Sequence, residues 1–141
     1  MQWRVDPHSL TPPSQQIVAA VLDAIAGLEL GPGDKLPSVR GLASEALVNP
    51  NTVTKAYRDL ERMGATEGRN GTGVFVTPDG PRIARGVRLA ETAGALQEAI
   101  ALAIRAGHEP DALRALIDTW LDGDAVGSAQ RDTQAPDGAP S

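Results

Sequence analysis

Apolar residues in the first half of the chain fall into three short stripes separated by glycine and proline. Between Ser14 and Ala26, the positions Ile17, Val18, Val21, Leu22 and Ile25 share one face at the three-and-four spacing of an α-helix, with Ser14 as N-cap and Gly27 as stop. Leu28-Glu29-Leu30 has room for one short strand at most, and Gly31-Pro32-Gly33-Asp34 reads as a turn. Ser38 opens a second helix whose apolar set, Val39, Leu42, Ala43 and Ala46, breaks at Leu47-Val48-Asn49. A third helix begins at once. Asn49 caps it, and Pro50 takes the first helical position, where a missing N–H costs no intrahelical hydrogen bond. Val53, Ala56, Tyr57 and Leu60 form its buried stripe up to Gly64. Two short helices joined by so tight a turn make a helix-turn-helix.

The period changes after Gly64. Ala65-Thr66-Glu67, the glycine-rich run Gly68 to Gly73, and Val74-Phe75-Val76-Thr77 together predict a β-hairpin, the wing of a winged helix-turn-helix. Pro78-Asp79-Gly80-Pro81 is the strongest break in the chain and marks the expected domain boundary. Beyond it, Leu89, Ala93, Leu96, Ile100 and Ala103 alternate at four and three residues, the seam of a helix that packs on another helix, closed by Gly107. Pro110 starts a last helix with Leu113, Leu116, Ile117, Trp120 and Leu121 on one stripe. Two helices of this length cannot bury both apolar faces alone, so Leu89, Leu96, Ile100, Leu113, Leu116, Ile117 and Trp120 are expected to form a dimer interface. From Gly123 to Ser141 no period remains, which predicts a disordered tail. The expected fold class is therefore mostly α with a small β-hairpin. A winged helix-turn-helix over residues 1–77 precedes a two-helix dimerisation region over 78–122 and a tail over 123–141.

Composition narrows the functions open to such a chain. Its 141 residues hold one ordinary domain and an appendage but no large catalytic domain. Absence of cysteine excludes disulfides and thiolate chemistry, and His8 and His108, a hundred positions apart, read as ordinary surface or loop histidines, so no metal or cofactor is expected. Acidic residues are scattered rather than paired with a nucleophile or base, which leaves no catalytic constellation. No apolar run reaches signal-peptide or membrane-span length, so a cytoplasmic, membrane-free location is expected. The net charge of −5 and pI of about 4.9 argue against nucleic-acid binding when charge is taken as one number. Neither half is basic: nine acidic residues lie before position 80 and nine after, against seven and six basic ones. Any DNA-binding surface must come from local geometry.

The third helix supplies such geometry. At about 100° per residue, its stripe centres on Val53, Tyr57 and Leu60, while Asn51, Lys55, Arg58 and Arg62 project opposite. Arg and Lys donate to guanine edges or phosphates and Asn bonds adenine, which is the side-chain vocabulary of major-groove readout. Arg40 sits two residues past the Ser38 cap, where it reaches towards a phosphate while the helix amides near Ser38 favour an anion, so both Ser38 and Arg40 are candidate DNA contacts. Arg69, Asn70 and Thr72 surround the glycine-rich tip, where backbone amides can approach a phosphate or minor groove. That tip is not a nucleotide-phosphate loop, because it lacks the lysine and is followed by a strand rather than a helix.

The runs Gly33-Asp34-Lys35-Leu36-Pro37-Ser38-Val39-Arg40, Val48-Asn49-Pro50-Asn51-Thr52-Val53 and Asn70-Gly71-Thr72-Gly73-Val74-Phe75-Val76 closely resemble the GntR family of bacterial regulators across roughly residues 12 to 77. The resemblance implies a winged helix-turn-helix, a homodimer, a pseudo-palindromic double-stranded operator and often a small-molecule effector. By motif position it places DNA contacts at Arg40, Asn49, Asn51, Thr52, Thr54, Lys55, Asn70, Gly71 and Thr72. Thr52 and Thr54 lie towards the edges of the face derived above, which suits phosphate contact. Ala65-Thr66 departs from the larger aliphatic residues usual in the family. The short C-terminal part is similar in length and pattern to the YtrA subfamily, whose members end in two dimerising helices. The expected function is a DNA-binding transcriptional regulator, a repressor by class; the competing reading is a winged-helix protein-interaction module that does not bind DNA.

Overall fold

The computed structural model describes residues 3–123, so the tail expected over 123–141 lies, apart from Gly123, outside the described residues. Within them the order is α1 (Pro13–Ala26), α2 (Val39–Ala46), α3 (Pro50–Met63), β1 (Thr66–Arg69), β2 (Gly73–Val76), α4 (Gly80–Arg105) and α5 (Pro110–Asp122). The chain divides into two compact units, Met1–Ala93 and Gly94–Ser141.

In the first unit α3 packs against α1, α2 and β1. Val21, Leu22, Ile25, Leu42, Val53, Leu60 and Val76 are its largest fully buried side chains, drawn from α1, α2, α3 and β2. Burying this much aliphatic surface is what offsets the ordering of such short helices, which are marginal alone. Trp3 also lies in this core, held there by an N-terminal arm that Gln16 fastens: its side chain accepts from the Asp6 amide and donates to the Asp6 and Thr11 carbonyls at 2.8–3.0 Å. Tyr57 is buried, its hydroxyl donating to the Pro37 carbonyl at 2.7 Å, and burial pushes its pKa further up, so it stays a donor.

Local signals set most boundaries. Ser38 caps α2 by accepting from the Gly41 amide at 3.0 Å, and Asn49 caps α3 by accepting from the Asn51 amide at 2.8 Å. Gly64 ends α3 at φ +83, a left-handed conformation that glycine adopts without strain. At the first helix the expectation fails: α1 starts at Pro13, not after a Ser14 cap, and Ser14 is buried. Two consecutive prolines fix helical or extended φ without needing hydrogen-bond donors, so the helix begins two residues earlier than a Ser14 cap would place it and turns Ser14 inward. Leu28-Glu29-Leu30 forms turns rather than a strand.

The wing is longer than expected. Thr66↔Val76, Glu67↔Phe75, Gly68↔Val74 and Arg69↔Gly73 pair antiparallel, so Gly68, Arg69 and Gly73 belong to strands and the tip is only Asn70-Gly71-Thr72. β2 pairs on its other edge as well. The Gly33 amide donates to Val76, the Leu36 amide to Val74, and the Val76 amide to Asp34, each within 2.9 Å, with Lys35 opposite Phe75. The Pro78–Pro81 segment starts a helix: α4 begins at Gly80, whose Cβ, if present, would lie 2.7 Å from Val76 Cγ1 and 2.9 Å from the Ala65 carbonyl. Pro81 and Ala84 are buried, Ala84 within the first unit's core.

Leu47 ends α2 in the left-handed region, at φ +58 and ψ +48, with its side chain 89% exposed. The strain of that conformation for a non-glycine residue is about 1–2 kcal/mol, and an exposed leucine recovers none of it by burial. Leu47→Gly is expected to stabilise the unit by about 1 kcal/mol after the extra entropy of glycine in the unfolded chain is subtracted. Chemical denaturation checks this; an unchanged or lower midpoint contradicts it.

In the second unit, the end of α4 and α5 are joined through Gly107, at φ +108, and α5 begins with Pro110 in its first turn. Leu113 is buried, at 8% exposure. Leu96, Leu102, Ile104, Leu116, Trp120 and Leu121 are all more than half exposed, and Ile100 and Ile117 half-buried. Among the described residues no helix is long and apolar enough to cross a membrane.

Candidate nucleic-acid interface

The hydrogen bonds that cap α2 and α3 also decide what their first turns present. Because Ser38 and Asn49 direct their side-chain oxygens to the helix amides, they hold the two N-termini in place, and Asn51 and Arg40 project as exposed side chains just beyond them. The Tyr57–Pro37 hydrogen bond ties the middle of α3 to the residue before the α2 cap, so both N-termini are indexed to each other through a buried ring. No sequence signal announces this tie, because Tyr57 reads there only as an apolar position.

Along α3, Val53, Ala56, Tyr57 and Leu60 are buried and Asn51, Lys55 and Arg58 exposed; Arg62 is also exposed, with Thr52 and Thr54 half-buried at the edges. The cations differ in how committed they are. Arg62 donates to Asp59 at 3.0 Å. Arg69 donates to Glu67 at 3.3 Å and lies over the Phe75 ring, 4.2 Å from its centroid. Both pairs are solvent-exposed, so each contributes little and can be exchanged for a phosphate at small cost. Arg40, Lys55 and Arg58 make no ion pair among the described residues.

At the wing tip Asn70, Gly71 and Thr72 are exposed. Thr72 is fixed by its amide and hydroxyl, which donate to the Arg69 carbonyl at 3.0 and 3.2 Å, while Gly71 takes φ +75. Lys35, absent from the sequence-derived set, lies along the same sheet: a Cβ at Gly73 would fall 2.6 Å from its Cε. Its place between a turn and the β2 pairing was legible only as part of a motif, not as a charge on a helix face. Among the described residues, no group of three or more His, Asp or Glu side chains could hold a metal ion.

A helix-turn-helix followed at once by a two-stranded wing, with cations on the outward face of its second helix, defines the winged-helix class. Residues 13–76 match the bacterial regulatory proteins of the gntR family. Over 74 residues the chain is 45% identical to the HTH-type transcriptional repressor YtrA of Bacillus subtilis, covering 52% of this chain and 57% of that protein. A GntR family transcriptional regulator from Listeria monocytogenes superposes with a TM-score of 0.68 at 28% identity, over 82% of this chain and 98% of its own. YtrA from Sulfolobus acidocaldarius, a GntR-family transcription factor, superposes with a TM-score of 0.53 at 35% identity, over 67% of this chain and 99% of its own. The chain belongs to the GntR family, whose members matched here are transcriptional regulators rather than enzymes. It spans 50–61% of the length of three of the curated relatives it matches and 14–17% of three others.

Proposed function

We propose that the protein is a transcriptional repressor that binds a pseudo-palindromic operator as a homodimer. In this reading α3 lies in the major groove, Arg40 grips the flanking phosphates, and the wing tip follows the adjacent backbone or minor groove. The observation that carries it is the α3 face, where Asn51, Lys55 and Arg58 stand exposed on a helix whose other side is fully buried at Val53 and Leu60. Dimerisation through residues 78–122 is supported by the apolar side chains left in solvent by a single chain, Leu116 and Trp120 among them at 51% and 54% exposure. A patch of that kind is the usual mark of an interface.

Fluorescence anisotropy against the protein's own upstream DNA and a scrambled duplex, at two salt concentrations, tests the DNA reading. Three uncommitted cations per subunit give about six phosphate neutralisations per dimer. Affinity is then expected to fall with a log–log salt slope of about −5, roughly 10³-fold between 50 and 200 mM. The acidic pI favours a second reading, a protein-interaction module. Salt-insensitive capture of a protein partner with no DNA binding would establish that reading instead. Light scattering at micromolar concentration checks the assembly: a dimer mass is expected, and a monomer refutes that part of the proposal.

A further inference from the structure

Three segments lie side by side at the wing: β1, β2, and residues 33–36, which pair along the other edge of β2. Alternation along them sorts the side chains between two faces. Leu36, Thr66 and Val76 are buried and Val74 packs against the core, so Lys35, Glu67, Arg69, Gly73 and Phe75 share the outward face. Lys35, Phe75 and Glu67 stand opposite one another in one row, and Arg69 and Gly73 form the next row towards the tip.

Gly73 decides where the Lys35 ammonium goes. A Cβ at Gly73 would fall 2.6 Å from Lys35 Cε and 3.5 Å from its Cδ and Nζ, so the lysine stem crosses diagonally over a position without a side chain and ends in the row nearer the tip. A side chain at position 73 would push that stem off the sheet. The two cations of this face are held differently. Arg69 lies over the Phe75 ring, 4.2 Å from its centroid, and donates to Glu67 at 3.3 Å, which neutralises the carboxylate of the row. Lys35 is exposed and makes no ion pair among the described residues. A stem already laid along a sheet has given up part of its rotamer freedom, so an anion bound at its end costs less ordering.

We infer that Lys35 is a backbone-phosphate contact of the wing, a fourth cation beside Arg40, Lys55 and Arg58 that approaches DNA from the sheet rather than from a helix. The inference rests on the DNA-binding reading above, in which the tip follows a backbone or minor groove. The row that holds the Lys35 ammonium is the next one back from that tip. An ammonium is a compact point charge without the planar fork of a guanidinium, which suits a phosphate oxygen. Such a contact positions the wing and reads no sequence.

With Lys35 counted, a dimer neutralises about eight phosphates, and the log–log salt slope of the unaltered protein deepens from about −5 to about −7. Anisotropy titrations of the full chain over a salt series test this on the upstream and the scrambled duplex alike, because both present phosphates. Lys35→Gln is expected to weaken binding to both duplexes equally, by about tenfold at low salt, and to return the slope to about −5. Lys35→Arg keeps the charge and is expected to hold the slope within about one of the parent. Both variants are expected to melt within about 4 °C of it, as exposed substitutions do. An unchanged slope for Lys35→Gln overturns the proposal. So does a loss confined to the upstream duplex, which would make Lys35 a base contact, or a lower melting temperature with no recovery in Lys35→Arg, which would make it a support of the sheet. Failure of the unaltered protein to bind either duplex would refute the DNA-binding reading instead. A slope change of about one rather than two, with a monomer mass, would refute the dimer and keep the contact.

Discussion

Replacing Lys55 and Arg40 together by alanine is expected to abolish operator binding while leaving the thermal unfolding curve in place. Neither side chain is buried and neither makes an ion pair among the described residues, so their removal empties no cavity and strands no buried charge. Alanine is also a better helix former than either, which keeps the change in stability within about 0.5 kcal/mol. The cost falls on the complex. An interaction with a base edge or a well-placed phosphate is worth about 1–3 kcal/mol, and in a homodimer each residue is used twice. Removing four such interactions, each at the low end of that range, already weakens binding by about 10³-fold. Arg62→Ala serves as the internal comparison. Arg62 lies in the last turn of α3, whereas recognition helices reach base edges with their N-terminal residues, so it is expected to cost clearly less than Lys55→Ala. Anisotropy titrations with circular-dichroism melts on the same samples decide the matter. Operator affinity within about threefold of the parent, with both cations gone, would move the interface off this face altogether.

What was legible in the sequence was what short-range chemistry encodes. Ser38, Asn49-Pro50 and Gly64 each act on their own helix terminus, through one side-chain oxygen, one missing donor and one left-handed φ, so a local reading finds them. The stripe of α3 was equally plain, because a period of 3.6 over fourteen residues leaves little freedom as to which side is buried. Errors arose where distant segments decide. Ser14 has cap chemistry, but the preceding prolines start the helix and the core takes the side chain. Trp3 comes from a stretch with no period and is buried only because Gln16 folds the N-terminal arm back onto α1. Gly68, Arg69 and Gly73 read as a turn until β2 is seen to be paired on both edges, which no local signal announces. Pro78–Pro81 reads as a break in the sequence, but proline and glycine also begin helices, and Gly80 is there for close approach to Val76 rather than for flexibility. The exposed polar face of α3, with Asn51, Lys55, Arg58 and Arg62, was legible from the helical period. Which cations are already held by a neighbour was only partly so: Arg62–Asp59 follows from i, i+3 spacing, whereas Arg69 over Phe75 needs the strand register.

Leu60→Ala is the substitution expected to cost the fold most within α3. Leu60 is fully buried, on the helix that packs against α1, α2 and β1. Truncation of such a leucine removes its transfer free energy and leaves its neighbours facing a cavity, about 2–5 kcal/mol in comparable cores. Small domains have about 5–15 kcal/mol in total, and a domain of this size loses about 4–8 °C per kcal/mol, so the melting temperature is expected to fall by about 10 °C or more. A fall of less than about 3 °C would mean that Leu60 does not close this core. The same change is expected to weaken DNA binding, but by a different route from the Lys55 and Arg40 pair. Loss of Leu60 lowers the fraction of chains that are folded, so affinity recovers as temperature is lowered and the salt slope stays that of the parent. Loss of Lys55 and Arg40 leaves every chain folded but removes about four counterion releases per dimer, so the slope becomes shallower at all temperatures. Leu116→Ala adds a third pattern: its side chain is half exposed in the single chain, so the loss of stability should grow on dilution as a dimer contact would require. Melting curves at two protein concentrations and binding curves at two salt concentrations are enough to separate a core residue from a residue of the proposed DNA face and from one of the proposed dimer contact.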